Sequence, residues 1–305
     1  MSAAAYRAWG IVFALAGSVA FAFRPIWVKL AYAVPGLDGA PVGPVTILFL
    51  RMMLALPFFL AIGWWLSRKA DNSLGARDWA AVAGLGFIGY YLASFLDMIG
   101  LQWVGAGLAR LIVFLYPTIV LLLSFLFLAR RPSARELAAL AISYAGIVLV
   151  VANQFGGSDE GGLFLLGALL LFSSASCYAV YLVAGSQLVQ RIGSMRFTAY
   201  TMIVATLPAV AQFFVLEPAS ALVLPATVWW YAAILATFST VLPVFLVAEA
   251  LKRIGANQFA LIGEIGPVTT VVAGAVGLDE PLTWVQAAGG LLVISGVLLV
   301  SLKRS

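Results

Sequence analysis

A chain of 305 residues that is 64% hydrophobic and only 10% charged is far more apolar than the half-apolar, quarter-charged balance of a soluble domain, so water is not the solvent of this fold. Its net charge of +5 is therefore no sign of nucleic-acid binding, and its single cysteine, Cys177, excludes an intrachain disulfide. Without a single histidine the commonest metal ligand and the usual general base are missing, so no catalytic constellation, metal site or cofactor is expected.

Stretches of about 20 apolar residues bounded by charges, Gly or Pro predict ten transmembrane helices, at 8–32, 43–66, 79–102, 105–129, 135–151, 162–185, 197–216, 228–251, 256–277 and 283–302. A secretory signal peptide cleaved after Ser18-Val19-Ala20 is the rival for the start. The apolar stretch continues to Tyr32, however, and reads better as a retained helix. Arg24 and Lys29 stand in it beside Pro25 and Trp27. Lys29 is close enough to the end to snorkel, which leaves Arg24 as the candidate for function.

Arg51 falls in the central third of the second helix, and Asp97 follows Tyr90 and Tyr91 in the third. Arg110 in the fourth is placed almost symmetrically with Asp97 about the turn at Trp103 and Val104, so on an antiparallel hairpin the two reach the same depth. They are expected to pair, either as a structural staple or as a gate. Tyr116 and Pro117 follow. The sixth helix gathers Ser173, Ser174, Ser176, Cys177, Tyr178 and Tyr181; small residues suit close packing, and the two tyrosines can form an aromatic wall. Glu249 in the eighth helix precedes Lys252 and Arg253 at the spacing of a helical ion pair. Glu264 lies centrally in the ninth, three residues before Pro267. Charges inside a membrane are costly and face a bundle interior or a wet cavity. Arg51 and Glu264 accordingly line a substrate path or form a static pair.

Loop charges separate cleanly. Arg7, then Arg68, Lys69 and Arg77, then Arg130, Arg131 and Arg135, then Arg191 and Arg196, then Lys252 and Arg253, and finally Lys303 and Arg304 fall on one side. The intervening loops hold Asp38, Asp159, Glu160, Glu217, Asp279 and Glu280. An excess of Lys and Arg marks the cytoplasmic face, which places both termini in the cytoplasm of a bacterial-type plasma (inner) membrane.

An offset of 150 residues aligns Trp79, Phe95, Leu96, Leu101, Gly105, Ala106, Leu111, Ile112 and Pro117 with Trp229, Phe245, Leu246, Leu251, Gly255, Ala256, Leu261, Ile262 and Pro267. The chain is thus predicted to be an all-α membrane protein of two five-helix repeats, 1–155 and 156–305. Five is odd, so the second repeat is inverted, an architecture that recurs in secondary transporters. Pro117 and Pro267 remove a backbone hydrogen bond at equivalent points and are candidate hinges.

Leu278-Asp279-Glu280-Pro281-Leu282-Thr283-Trp284-Val285-Gln286-Ala287-Ala288-Gly289, followed by Ile294-Ser295-Gly296, resembles the repeat-ending motif of the drug/metabolite transporter superfamily, in particular its EamA-type ten-helix exporters. The first half departs from it, with Arg131 where the family usually has Glu, although Pro132 and Gly146 fit. The resemblance implies metabolite transport, usually export. The expectation is a secondary transporter working by alternating access on small amphipathic metabolites. Its partners are a small-molecule substrate, the lipid bilayer and, as an option, a proton coupled through Glu264 or Asp97. Central arginines, a central acid and aromatic surface together suit a zwitterion with an apolar body, which favours amino acids and aromatic ones above all. The rival readings are a carrier of another metabolite class, such as drugs or nucleotide-sugars, and a channel or embedded enzyme. No G-x-x-x-x-G-K-[ST] loop is present, so ATP is not the expected energy source.

Overall fold

Apolar surroundings offer backbone groups no water, and a helix is the element that satisfies every N–H and C=O within its own segment. The computed structural model describes residues 3–37, 39–69, 74–128, 133–155, 161–263 and 265–301, and among them it is helical almost throughout. The first long segment comprises α1 (Ala3–Ala22) and α2 (Arg24–Tyr32), broken at Phe23; α3 is Pro44–Arg68. Next come α4 (Ala76–Gly86), a π-helical segment Phe87–Leu92, and α5 (Ala93–Gly100). The segment after the turn is split into α6 (Ala106–Val113) and α7 (Tyr116–Leu128), and α8 (Ala134–Phe155) follows. The second part holds α9 (Gly161–Ile192), α10 (Ser194–Leu216), a short 3-10 turn Ala219–Leu222, and α11 (Ala226–Ala236). A π-helical segment Thr237–Val241, α12 (Leu242–Gly263), α13 (Ile265–Gly277) and α14 (Trp284–Ser301) complete it.

Seven of the resulting helical segments are long and apolar enough to cross a bilayer, namely Ala5–Tyr32, Pro44–Arg68, Ala76–Gly100, Ala106–Leu123, Gly162–Ile192, Ser194–Leu216 and Ala226–Ile254. Leu137–Val150, Ile265–Gly277 and Trp284–Gly296 are shorter apolar helices. The sixth predicted helix is longer than its apolar run suggests, because α9 carries on through Gln187 to Ile192, where Arg191 meets Asp78 at the start of α4. At the same basic end Arg68 lies 3.9 Å over the Trp64 ring and Lys69 3.9 Å over Trp65, the aromatic and cationic surface expected where hydrocarbon meets headgroups.

Helices pair across the two parts of the chain: α1 with α12, α5 with α9, α3 with α10, α6 with α13 and α8 with α14. Small residues permit the closest approach. A Cβ at Gly146 of α8 would stand 2.6 Å from the carbonyl oxygen of Gly289 in α14, and one at Gly296 would stand 2.7 Å from that of Ala139. Shifting the first contact by 150 residues gives the second with the partners exchanged. The π-helical segments obey the same offset, at 87–92 and 237–241.

Contacts along α1 show the chain turning back within α12. Gly10 abuts Arg253 and Ile254, and Gly17 abuts Leu246 and Val247, so α12 starts out antiparallel to α1. Gly263 then faces Ser18, and Gly277 in α13 faces Ile26, which is the parallel sense.

Candidate functional site

Pro25 lacks an N–H, and helix one breaks just before it, at Phe23. That break starts α2 at Arg24 and turns its guanidinium inward, where it is ion-paired with Asp97 of α5. Asp97 is thus paired as expected, but with a residue 73 positions away rather than with Arg110 across the hairpin. Arg110 of α6 instead places its guanidinium 4.8 Å over the ring of Phe21, and Arg24 lies over the same ring at 5.7 Å. The negative face of an aromatic ring attracts a cation. Nε of Arg110 is buried with no hydrogen-bond partner.

Arg51, on α3, is only 3% exposed, and both its Nε and its Nη2 are buried without a partner. It lies within electrostatic reach of Arg24, Asp97 and Tyr90. Arg110 in turn feels Arg24, Asp97, Tyr116 and Tyr178. Three guanidinium groups therefore surround one carboxylate among the described residues. Tyr32 closes the cluster on one side, its hydroxyl donating to the carbonyl of Met98 at 2.9 Å.

The aromatic wall is continuous. Tyr116 meets Tyr178 edge-on at 5.3 Å, Tyr178 stacks on Tyr181 at 5.8 Å, and Tyr181 meets Tyr90 edge-on at 5.1 Å. Tyr178 and Tyr181 come from α9 and the other two from the first part of the chain, so the wall spans the junction between the parts. Gly89 is what lets Tyr181 in: a Cβ there would stand 2.6 Å from Tyr181 Cδ2. Tyr91 and Trp27 make other ring contacts. Tyr91 packs on Phe87 and Phe95, and Trp27 on Phe23 and Tyr231.

Glu264 lies outside the described residues. Pro117 is not a mid-helix kink: it sits in the first turn of α7, after the break at Phe114 and Leu115, where its missing N–H has no intrahelical acceptor to lose. The position that separates α12 from α13, three before Pro267, lies outside the described residues. Glu249 bonds Arg253 one turn on, as its spacing predicted.

Phe21, Tyr32 and the part played by Glu280 were missed by sequence reasoning. Aromatic residues are too common in an apolar helix to signal a role, whereas Glu280 could have been noticed as an acid three residues past a helix end. Asp279 takes the left-handed conformation (φ 52°), and the Glu280 N–H donates to the Gly274 carbonyl at 3.2 Å, which caps α13. The cap aims the Glu280 carboxylate at the start of α6, where it accepts from the N–H groups of Ala106 at 2.6 Å and Gly107 at 3.1 Å. Lys29 is paired with it at 3.9 Å rather than left to snorkel alone. A cavity of about 190 Å³ opens beside this clasp, lined by Trp103, Leu108, Phe164, Val271 and Gln286. It does not reach the arginine cluster, which is closed over by its own aromatic residues.

Comparison with known proteins returns a match to the EamA-like transporter family over residues 8–152 and 165–302. The chain is similar to "Uncharacterized transporter YcbK" of Bacillus subtilis (strain 168), at 32% identity over 96% of this chain and 94% of that protein. "Uncharacterized transporter YyaM" of the same organism is 30% identical over 71% of each. "Uncharacterized transporter sll1319" of Synechocystis sp. is 23% identical over 97% and 94%. A solved crystal structure superposes with a TM-score of 0.63 over 96% of each chain at 17% identity, a likeness of fold alone.

Proposed function

We propose, for a chain that belongs to the EamA-like transporter family, that two inverted five-helix repeats, 1–155 and 156–305, move a small amphipathic metabolite by alternating access. As a member of that family the chain is a multi-pass membrane transporter. The further steps, ten spans, inversion and cargo, are our reading. Inversion is supported by the exchanged contacts Gly146 to Gly289 and Gly296 to Ala139 and by the matched π-helical segments. Such segments concentrate at functional sites, and Phe87–Leu92 carries Tyr90 of the aromatic wall.

The observation that carries the cargo assignment is the buried Arg51 and Asp97 with the part-buried Arg24 and Arg110, set beside tyrosines from both repeats. Guanidinium groups recognise a carboxylate, and the aromatic wall recognises an apolar body. Amino acids carry both features, and aromatic ones match the wall best. Export is the direction assigned, with energy from the substrate gradient or a coupled proton, for which Asp97 is the candidate carrier.

Two measurements test the reading. In proteoliposomes, phenylalanine or tryptophan should drive counterflow of its own labelled form, and Arg51→Ala should cut that flux about tenfold while folded yield falls much less. Equal losses of flux and yield would make Arg51 a structural residue. Topology is tested by single cysteines in a Cys177→Ser background. Both Ser194 and Gly277 are exposed at helix ends. Cysteine at 277 should react with an impermeant reagent on intact cells and cysteine at 194 only after the membrane is opened. The opposite pattern would reverse the orientation.

A further inference from the structure

Burying a charge is tolerated when a partner and hydrogen bonds compensate it. In this site the compensation is incomplete. Asp97 is engaged by Arg24, while Arg51 and Arg110 keep buried nitrogen donors with no acceptor. Nearby hydroxyls do not neutralise them: Tyr90, Tyr116, Tyr178 and Tyr181 contribute dipoles and ring faces, not charge. Lys29 and Glu280 form their own pair at the rim. Buried guanidinium donors without an acceptor, within electrostatic reach of Tyr90, Tyr116 and Tyr178, have the chemistry of an anion receptor beside an aromatic wall.

We infer that the cargo is selected as a net anion: a carboxylate with an apolar or aromatic body, held by Arg51 and Arg110, whose amino group, where there is one, adds nothing to recognition. This rests on the transport reading of the same site and revises its amino-acid cargo, keeping the carboxylate and the apolar body and dropping the ammonium. An ammonium brought beside Arg51 and Arg110 meets two like charges and, among the described residues, one carboxylate already taken. Loss of the ammonium removes that repulsion without disturbing either the carboxylate or the ring.

Three probes with one body and different charge decide it, titrated calorimetrically against the purified full chain: 3-phenylpropionate, phenylalanine and phenethylamine. The anion should bind about tenfold or more tighter than the zwitterion, and the cation should not bind; a tenfold difference lies well within the reach of one like-charge contact. Arg51→Met should abolish anion binding and at the same time raise the melting temperature of the ligand-free protein, because an unpaired buried charge has been replaced by an apolar side chain. A structural arginine would lower it. Arg51→Lys, which keeps the charge but not the fork, should weaken binding by about tenfold without that rise. Phenylalanine binding as well as phenylpropionate, tighter binding of phenethylamine, binding of phenyl phosphate but not of phenylpropionate, or binding of none of them would each overturn the inference. The transport reading is judged separately, by counterflow, and survives a zwitterion preference.

Discussion

Asp97→Ala should lower the stability of the purified protein by about 3–5 kcal/mol, the loss expected when one partner of a buried ion pair is removed. It should do so by more than Arg24→Ala. The asymmetry follows from the neighbours: without Asp97, Arg24 stands with Arg51 and Arg110 and no carboxylate among the described residues, whereas without Arg24 the Asp97 carboxylate still lies within reach of both other guanidinium groups. The double variant should recover part of the Asp97→Ala loss, and the coupling of Asp97 to Arg24 should exceed its coupling to Arg110. Thermal unfolding of the four proteins in one detergent gives the cycle. Additive losses for Asp97 and Arg24 would show that the pair does not exist in the folded protein.

The second large effect is steric. Gly289→Leu has no room, because the Cβ alone would press on the Gly146 carbonyl at 2.7 Å, and α8 and α14 can accept it only by moving apart. Overpacking of this kind costs about 1–3 kcal/mol, and more where backbone is the obstacle. Gly84→Leu is the matched control, since nothing lies within 4 Å of its added Cβ. Folded yield by size-exclusion chromatography should collapse for Gly289→Leu and stay near that of the parent for Gly84→Leu. Equal yields would mean that α8 and α14 are not in contact at this point.

Much of this was legible in the sequence because it is written in short-range patterns. Apolar runs and punctuating charges marked the helical segments, and Trp79 with Trp229, or Pro117 with Pro267, disclosed the repeat without any knowledge of packing. Arg24, Arg51, Asp97 and Arg110 stood out as candidates because charge is so rare in these helices. Their pairing was not legible. The hairpin argument assumed that the nearest carboxylate in the chain is the nearest in space, but the break at Phe23 turns Arg24 toward Asp97 first. The π-helical segments were invisible too, since one inserted residue in a turn leaves no mark in composition. Nor could the length of α9 be read from its apolar run, because its last turns are stabilised by Asp78 meeting Arg191 and not by lipid.

The Glu280 clasp ties the end of α13 to the start of α6, so any movement that parts those two helix ends must break it. Parting a carboxylate from two amide donors costs about 3 kcal/mol, which corresponds to about a hundredfold in population. The clasped arrangement is therefore where this end of the molecule rests, and the rare event there is the release of one carboxylate from the start of one helix.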